Sequence, residues 1–412
     1  MRIVLIYPKP DEEKHPRFGF SYRMMTAEAV LSRYHTATVK DYSCEEYAPE
    51  VFGGADLLIV ECDSFALKRS QNLRHAGEII GAVRGKVPVI AYGHHCCITG
   101  RDFHGADFTV KDNSINSLVR AVNMFADGEQ PRVPEIPDYD SLPYINREKL
   151  RGIKFYGEGR NRISTLIQTA EGCGNTCVFC QRKGWQKNYT AHSDDYVLGE
   201  LGLIRSQGYS NVWVTDENFT YRLPRVKRLL RKIYAVSFTE GMNLFISSWA
   251  NIDTEFLDLA AECNIRIISF GIESGSQEIL GFYRKNIDLQ RVPELIHYAD
   301  SLGIFTAGNF ILGAPMETEG TIAQTFALIR ECGFDQINIK TLDCMEGSEL
   351  YEELDDSLKA GKNHVFACAE NGLNDFALED IRRIKHDFMR SYYAENQKRI
   401  AGKIAEFGLP FA

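Results

Sequence analysis

The fold is decided around residues 164–180, which read STLIQTAEGCGNTCVFC. The first part has the apolar pattern of a short β-strand. The second part is a loop that places three cysteines, Cys173, Cys177 and Cys180, within eight residues. The loop also contains two glycines, whose backbone freedom would let it wrap around a compact group. The stretch therefore predicts a strand that ends in a metal-binding loop.

Three thiolates so close together suit zinc or an iron-sulfur cluster. A structural zinc site closes its shell with four ligands, and the sequence offers no obvious fourth ligand nearby. A 4Fe-4S cluster with three protein ligands would keep one iron open. The residue types alone leave three readings: a cluster, a zinc knuckle, or inert thiols.

From residue 164 onward, strand candidates alternate with helix-like segments, and the strands are expected at 164–169, 211–215, 244–248, 265–270, 305–311 and 335–340. Six such units predict a partial (βα)6 barrel of the TIM type, whose chemistry lies on loops at the carboxyl ends of the strands. We expect this barrel to span residues 163–344. Residues 345–412 lack strand patterns and predict a helical C-terminal region.

The same alternation occupies residues 1–126, with strand candidates at 2–7, 37–41, 56–61, 87–91 and 107–110 and helical patterns near 22–34, 69–83 and 114–126. It predicts an α/β domain of the doubly wound, flavodoxin-like type, with its ligand edge at the strand carboxyl ends. Prolines and glycine then break the pattern. We expect a linker over residues 127–162.

Charge and composition limit the partners. The chain has 412 residues and a net charge of -9, which gives no basic field for a phosphate backbone, so we expect no nucleic-acid partner. No apolar run approaches the roughly 18 residues of a membrane span, and the N-terminus enters a strand pattern at once, which predicts a soluble cytoplasmic protein. The eleven cysteines are odd in number and favour thiol or metal chemistry over disulfides.

The spacing C-x3-C-x2-C, with Phe179 before the last cysteine, resembles the defining motif of the radical S-adenosylmethionine (SAM) superfamily. The resemblance implies that Cys173, Cys177 and Cys180 are the catalytic metal ligands of a 4Fe-4S cluster whose open iron chelates SAM. One electron then breaks a carbon-sulfur bond of SAM, and the 5'-deoxyadenosyl radical abstracts a substrate hydrogen. The protein positions the reactants and excludes water.

Three later runs also resemble this superfamily: VTDENF at 214–219, GIESGS at 271–276 and NFILGAPMET at 309–318. The third strand, FISSWA at 245–250, departs from many relatives because it lacks an arginine, so the partner of the SAM carboxylate is not identified. Carboxylates and Gly-Ser runs at strand ends also fit helix caps and turns. The cofactor-binding residues implied by the resemblance are Phe179, Asp216, Glu217, Ser247, Glu273, Ser274 and Gly313.

The N-terminal domain is similar to the cobalamin-binding domain of one branch of the superfamily, which makes cobalamin a possible cofactor. The resemblance departs at 110–114, where VKDNS replaces a Gly-Glu-rich turn, and an Asp-x-His-x-x-Gly ligand motif is missing. The HHCC run at 94–97 could bind a metal, but adjacent side chains rarely converge on one ion. The loops expected to face a corrin are 8–10, 61–64, 93–97 and 111–114.

Three functions are compatible with these patterns. The first is hydrogen abstraction from a small biosynthetic intermediate, followed by dehydration, epimerisation or cyclisation in natural product biosynthesis. The alternative is cobalamin-dependent radical methylation, and a third is a non-catalytic iron-sulfur or zinc protein. We expect a small-molecule substrate, contacted by Trp185, Asn338 and Lys340 at the barrel mouth, and an electron donor such as flavodoxin or ferredoxin.

Overall fold

The computed structural model describes residues 1–11, 20–43, 45–46, 48, 52–64, 72–128, 130–150, 164–181 and 188–407. The chain divides into two compact units. The first comprises Met1–Leu166 and Gly184–Tyr196, and the second comprises Ile167–Lys183 and Val197–Ala412. The segment that the sequence predicts to be a linker is grouped with the first unit. The four predicted domain boundaries stay predictions.

The first unit is built on a five-stranded parallel sheet in the order β2-β1-β3-β4-β5. This is the flavodoxin-like order of a doubly wound fold, as the alternation of strand and helix patterns predicts. Its elements are β1 (Arg2–Tyr7), α1 (Tyr22–Leu31), β2 (Thr36–Asp41), β3 (Leu57–Glu61), α2 (Leu73–Val83), β4 (Val89–Tyr92), α3 (His94–Thr99), β5 (Phe108–Thr109) and α4 (Ile115–Met124).

Both faces of this sheet are covered, which is why its central strands are continuous apolar runs. Successive side chains of a strand point to opposite faces. Accordingly, Ile3 and Leu5 belong to one core with helices α1 and α4. Val4 and Ile6 belong to a second core with α2 and α3. The carboxyl ends of the strands are left as the edge on which a ligand can bind.

The second sheet has six strands in the order β6-β9-β10-β11-β12-β13, and strands β9 to β13 run parallel. Strands and helices alternate along this part of the chain, as in a partial (βα)6 barrel. The elements are β6 (Ser164–Ile167), β7 (Ala170–Glu171), β8 (Thr190–Ala191), α5 (Asp194–Ser206), β9 (Asn211–Val214), α6 (Leu223–Ala235), β10 (Asn243–Trp249), α7 (Thr254–Glu262), β11 (Ile265–Glu273), α8 (Gln277–Phe282), α9 (Val292–Ser301), β12 (Phe305–Leu312), α10 (Glu319–Cys332) and β13 (Gln336–Thr341).

The two faces of this sheet differ in chemistry. The face that packs on the helices carries the large apolar core. On the opposite face, Phe245, Ile267 and Phe305 are paired side by side across three strands and form a small apolar layer with Trp213 and Ile404. Polar side chains follow further along the same strands. This second face is therefore the one that can receive a ligand.

The C-terminal region is helical, as predicted, and also contains a small two-stranded sheet that the sequence pattern does not predict. Its elements are β14 (Asp343–Met345), α11 (Glu349–Glu352), α12 (Asp356–Lys359), β15 (His364–Phe366) and α13 (Leu378–Phe407). Strands β14 and β15 pair antiparallel. Each has only three residues, too few to show a period of two.

Helix α13 covers the outer edge of the six-stranded sheet. The backbone N–H of Ile337 in β13 donates to the Tyr393 hydroxyl at 2.9 Å, and that hydroxyl donates to the carbonyl oxygen of the same residue at 3.1 Å. Tyr392 and Phe388 of the same helix are buried in the barrel core. The last helix is thus a structural part of the barrel.

Among the residues that the structure describes, no helix combines the length and the apolar composition needed to cross a membrane.

Candidate active site

The three motif cysteines lie on the loop that follows β6 and β7. Cys177 is buried, whereas Cys173 and Cys180 are half-buried, and none of the three forms a disulfide. The N–H of Cys180 donates to the carbonyl of Cys177 at 3.1 Å, which folds the loop into a turn. Gly172 starts the loop with a left-handed φ of 85°, a conformation that favours glycine.

The charges of the neighbouring thiolates contribute to the pKa of Cys177. Burial raises the pKa of Cys177 to about 12, the Lys285 ammonium opposes this rise, and Cys180, Glu273 and Cys173 add to it. Among the described residues, no group of three or more His, Cys, Asp or Glu stands ready at metal-ligand spacing. A cluster fits this loop by its donor set of three free cysteines, and the sulfurs would have to draw together around it.

Asp216 and Glu217 follow β9 and both bind the segment around the cysteine loop. Asp216 is buried and accepts hydrogen bonds from the N–H and hydroxyl of Thr169 at 2.7 and 2.6 Å and from the N–H of Ala170 at 3.1 Å. Burial raises the pKa of Asp216 to about 6 against the effect of these hydrogen bonds. Glu217 accepts from the N–H of Gly172 at 2.9 Å. Both carboxylates thus position the loop, and their predicted contact with SAM stays a prediction.

The GIESG run ends β11 with an unusual backbone. Strand pairing with β12 shifts between Gly271 and Glu273, and Glu273 has a left-handed φ of 76°, which is uncommon for a residue with a side chain. Ser274 is buried; its hydroxyl accepts from the N–H of Ser276 at 3.0 Å and lies 3.3 Å from the Thr325 hydroxyl. Ser274 therefore stabilises the turn, and the Glu273 carboxylate is the candidate ligand-binding group at the end of β11.

A residue that the sequence analysis missed joins Glu273. Lys285 follows α8 and is only 2% exposed. Its Nζ forms an ion pair with Oε1 of Glu273 at 2.8 Å, donates to the carbonyl of Gly271 at 2.6 Å and lies 4.3 Å from the centre of the Trp249 ring. A lone lysine in the polar run YRKN at 283–286 looks like a surface residue. No periodic pattern would have found it.

Gly313 ends β12 with a left-handed φ of 104°. A Cβ atom at this position would lie 3.1 Å from the carbonyl oxygen of Ala367, so a close approach does require glycine here. Its N–H donates to the buried Glu317 at 2.8 Å, and Thr318 is the N-cap of α10. The role of Gly313 in cofactor binding stays a prediction.

A polar ladder crosses the face of the barrel sheet opposite the helices. Asn309 donates to the Ser269 hydroxyl at 2.8 Å, Asn338 donates to Asn309 at 3.2 Å, and Gln336 donates to Asn338 at 3.2 Å. Lys340 lies two residues further along β13 and shares the face of Asn338 by the period of two. The structure brings together Asn338 and Lys340 of the predicted substrate residues. Trp185 lies outside the described residues.

Two predicted cofactor residues differ in exposure. Ser247 is exposed on β10, although its neighbour Ser248 is buried and bonded to Thr220 at 2.7 Å. Phe179 is buried and packs edge-on against Tyr283, with ring centres 5.1 Å apart. Among the described residues, the fully buried hydroxyl of Tyr283 has no hydrogen-bond partner. Because an unpaired buried hydroxyl is costly, this group fits a bound acceptor beside the cysteine loop.

The ligand edge of the first unit is lined by charged side chains that bind one another. His94 Nδ1 lies 3.1 Å from Asp63, and His94 Nε2 lies 2.7 Å from the Arg23 guanidinium. His95 contacts the Ser64 hydroxyl at 3.2 Å. Both ring nitrogens of His94 are thus engaged, which agrees with a polar loop end and not with a metal site in the HHCC run. Cobalamin would fit this edge without a histidine ligand.

The sequence matches the Radical SAM superfamily over residues 167–329. It is 29% identical over 238 residues to cytidylyl-2-hydroxyethylphosphonate methyltransferase from Streptomyces wedmorensis, covering 55% of this chain and 43% of the relative. It is 20% identical over 400 residues to tRNA-2-methylthio-N(6)-dimethylallyladenosine synthase from Hahella chejuensis, covering 91% and 87%. The chain spans less than half the length of the first of these relatives.

Two solved structures share the fold. One is the radical SAM methyltransferase TsrM from Kitasatospora setae with cobalamin and a [4Fe-4S] cluster bound, with a TM-score of 0.72 at 18% identity over 88% of this chain and 79% of TsrM. The other is the cobalamin-dependent SAM radical enzyme OxsB with aqua-cobalamin and SAM bound, with a TM-score of 0.69 at 14% identity over 89% and 64%. Residues 167–329 therefore match the Radical SAM superfamily, and the chain shares the fold of these two cobalamin-binding enzymes.

Proposed function

We propose that this protein is a cobalamin-dependent radical SAM methyltransferase that acts on a small polar molecule. The observation that carries the proposal is the fold, which continues through both units and is similar to that of TsrM over 88% of the chain. Curated relatives with methyltransferase names point the same way. They favour methyl transfer over the dehydration, epimerisation or cyclisation that the sequence analysis put first.

Cys173, Cys177 and Cys180 would hold the 4Fe-4S cluster, and Glu217 would fix the start of their loop through Gly172. When bound, the cluster supplies the electron that splits SAM into methionine and a 5'-deoxyadenosyl radical, and cobalamin supplies a transferable methyl group. The buried faces of Cys177 and Phe179 would keep water from one side of the site. Glu273, beside the loop, would bind the SAM ammonium group.

The N-terminal unit would hold cobalamin at the carboxyl ends of its strands, on the loops at 8–10, 61–64, 93–97 and 111–114. Parallel sheets of this order bind their ligands at that edge. The loops at 61–64 and 93–97 are in contact at Gly93, where a Cβ would lie 2.4 Å from the Cys62 carbonyl oxygen, and the N–H of His95 donates to that oxygen at 3.1 Å. The loops after β3 and β4 would thus form one continuous surface for the corrin.

The substrate would lie on the sheet face that carries the polar ladder. Asn309 and Asn338 offer amide groups there above the apolar layer of Phe245, Ile267 and Phe305. Such a surface suits an uncharged polar group attached to an apolar body. The absence of a nucleic-acid partner stays a prediction, since several relatives carry a tRNA-modifying name.

The test is anaerobic reconstitution of the full chain with iron, sulfide and cobalamin, followed by addition of SAM and dithionite. A methyltransferase of this kind is expected to retain the corrin absorbance after desalting and to release both 5'-deoxyadenosine and S-adenosylhomocysteine. Release of 5'-deoxyadenosine without bound corrin or S-adenosylhomocysteine would instead support hydrogen abstraction alone. A bound metal with intact SAM would show a passive metal protein and end the proposal.

A further inference from the structure

Helix α6 concentrates positive charge in a chain that is acidic as a whole. Residues 222–235 contain six lysines and arginines and no aspartate or glutamate, whereas the chain has a net charge of -9. The helix packs on the barrel core through Val226, Leu229, Leu230 and Ile233. Packing requires only that apolar face. The single sign of charge on the rest of the helix creates a local field that attracts negative partners.

Two of the six cations form an ion-pair group at the start of helix α7. Lys227 lies 2.6 Å from both Asp253 and Glu255, and Arg231 also binds Glu255. These carboxylates mark one side of α6. Three other cations of the segment are exposed to solvent, and we call them the basic face: Arg222, Arg228 and Lys232.

The amino end of α6 touches the cysteine loop. The half-buried Arg225 guanidinium donates at 2.9 Å to the carbonyl of Thr169, which lies just before the loop. The hydroxyl of Tyr221 packs on the loop itself, because a Cβ on Gly174 would collide with it. The Arg222 guanidinium lies 5.4 Å from the centre of the Tyr221 ring. The basic face therefore begins beside the loop that the proposed function assigns to the cluster.

One edge of the cysteine loop is open to solvent at the same place. Gly174 and Thr176 are exposed, although residues 177–179 are buried. Gly174 is also the residue that Tyr221 touches. A protein bound to the basic face would thus lie next to the exposed edge of the loop, where it could approach a cluster closely.

We propose that the basic face of α6 is the docking surface of an acidic one-electron carrier protein, which delivers the electron needed to cleave SAM. The inference rests on the proposed function, because it assumes that the three cysteines hold a cluster. Complementary charge steers such a partner to its surface and raises the association rate. The carrier's own redox group would then lie beside the cysteine loop.

The electron balance of the step is simple. A carrier whose flavin is an anionic hydroquinone gives up one electron and becomes a neutral semiquinone. The oxidised cluster takes up that electron and changes from the 2+ to the 1+ state. No bond forms or breaks, and no proton moves. The basic face therefore has to bind the carrier only through its charge and shape.

A nucleic acid fits this surface less well than an acidic protein does. Residues 222–232 span only about 15 Å of helix, and the carboxylates of Asp253 and Glu255 border them. Affinity for a phosphate backbone grows with the number of phosphates that are neutralised, and the net charge of -9 opposes a long polyanion. A small acidic patch on a folded protein matches the size of the basic face.

The experiment measures how fast flavodoxin hydroquinone reduces the cluster of the anaerobically reconstituted full chain, by stopped-flow absorbance. Arg228→Glu/Lys232→Glu is expected to lower the second-order rate constant by about 10- to 100-fold at low ionic strength. Arg228→Gln/Lys232→Gln should give a smaller loss. The differences should shrink at high salt, which screens the charges. Dithionite, which needs no docking surface, should reduce the cluster of every variant.

The matched control is Arg390→Glu/Lys398→Glu, which makes the same change of net charge on exposed positions of α13. Helix α13 covers the β13 edge of the barrel sheet, so this variant should keep the wild-type rate with flavodoxin. Iron content and circular dichroism show that each variant is intact. If the charge reversal fails to fold, the glutamine variant decides the matter.

The outcomes separate the inference from the proposed function. Reduction by flavodoxin at the wild-type rate in the basic-face variants overturns the inference, as does an equal loss in the α13 control. Binding of a tRNA transcript that the basic-face substitutions abolish, with flavodoxin reduction unchanged, identifies a nucleic-acid surface and also overturns it. A wild type that takes up iron without forming a cluster reducible by dithionite overturns the proposed function itself.

Discussion

Each of the two ligand edges has a glycine that allows a close approach, but the neighbouring atoms differ. At the N-terminal edge, a Cβ on Gly93 would collide with the backbone carbonyl of Cys62. At the barrel edge, a Cβ on Gly271 would meet the tips of two side chains, Glu273 and Lys285. Backbone atoms cannot move away without moving a strand, whereas side-chain tips can turn aside.

This difference separates the requirements of folding from those of function. Gly93 is needed so that the chain can pass from β4 into α3 beside the end of β3, whatever ligand binds there. Gly271 is needed so that a buried ion pair can exist, and the barrel could fold without that pair. The barrel edge is therefore the place where substitutions are expected to change chemistry more than stability.

The largest expected effect comes from Cys177→Ala. Three sulfurs are required to hold a cluster with one open iron, so 5'-deoxyadenosine formation from SAM and dithionite should fall to the assay background. Cys332→Ala, in the barrel core at the end of α10, is the matched control and should retain the activity. Turnover by the Cys177 variant at the control's rate would contradict the assigned ligands.

Gly93→Ala is expected to cost about 2–4 kcal/mol of unfolding free energy, because it adds both a collision with backbone and a strained φ. Urea unfolding monitored by circular dichroism measures this loss. Gly77→Ala in α2 has nothing within 4 Å of its new Cβ and should be neutral or stabilising. If Gly93→Ala were as stable as Gly77→Ala, the backbone collision at the N-terminal edge would carry no cost, and the proposed difference between the two edges would be wrong.

Asp216 is expected to make stability depend on pH. Burial raises the pKa of this carboxyl to about 6, so the folded state holds the proton to a higher pH than the unfolded chain does. The protonated Asp216 carboxyl stabilises the folded state by about 1–3 kcal/mol below about pH 4, and this stabilisation is lost as the pH rises to about 6. Urea unfolding from pH 4.5 to 7.5 should show this fall, and the same series on Asp216→Asn should lack it.

Gly271→Ala is expected to have the smallest effect on folding, below about 1 kcal/mol, since only side-chain tips must turn. Its SAM dissociation constant should nevertheless rise several-fold, because the Glu273–Lys285 pair is displaced. The control is Gly281→Ala in α8, which has nothing within 4 Å of the new Cβ and should bind SAM as the wild type does. If the Gly271 variant lost much stability and kept its SAM affinity, Gly271 would be required for folding, as Gly93 is, and not for the ion pair.

Most of the fold follows from hydrophobic periodicity. The predicted strand at 2–7 matches Arg2–Tyr7, and that at 305–311 matches Phe305–Leu312 to within one residue. Parallel strands covered on both faces give continuous apolar runs between polar turns, so their positions are easily read. The β14–β15 pair was missed because three-residue strands carry no period, and the two strands are separated by residues 346–363, so their pairing is not local in sequence.

The site could be predicted only where spacing along the chain reflects the chemistry. The cysteine loop is local in sequence, so its motif was visible. Lys285 lies 12 residues beyond Glu273 and meets it only after α8 has turned the chain back. The strained φ of Glu273 is likewise set by the shift in pairing between β11 and β12, which no single strand reveals.

The hydroxyl of Tyr393 affects how readily a strand from another molecule could pair with β13, the edge strand of the barrel sheet. By occupying both the N–H and the carbonyl of Ile337, it removes the pair of groups to which a strand from another molecule would first attach. Phenylalanine at this position would keep the ring and expose that pair. The Tyr393 hydroxyl thus removes one donor and one acceptor from the outer edge of β13.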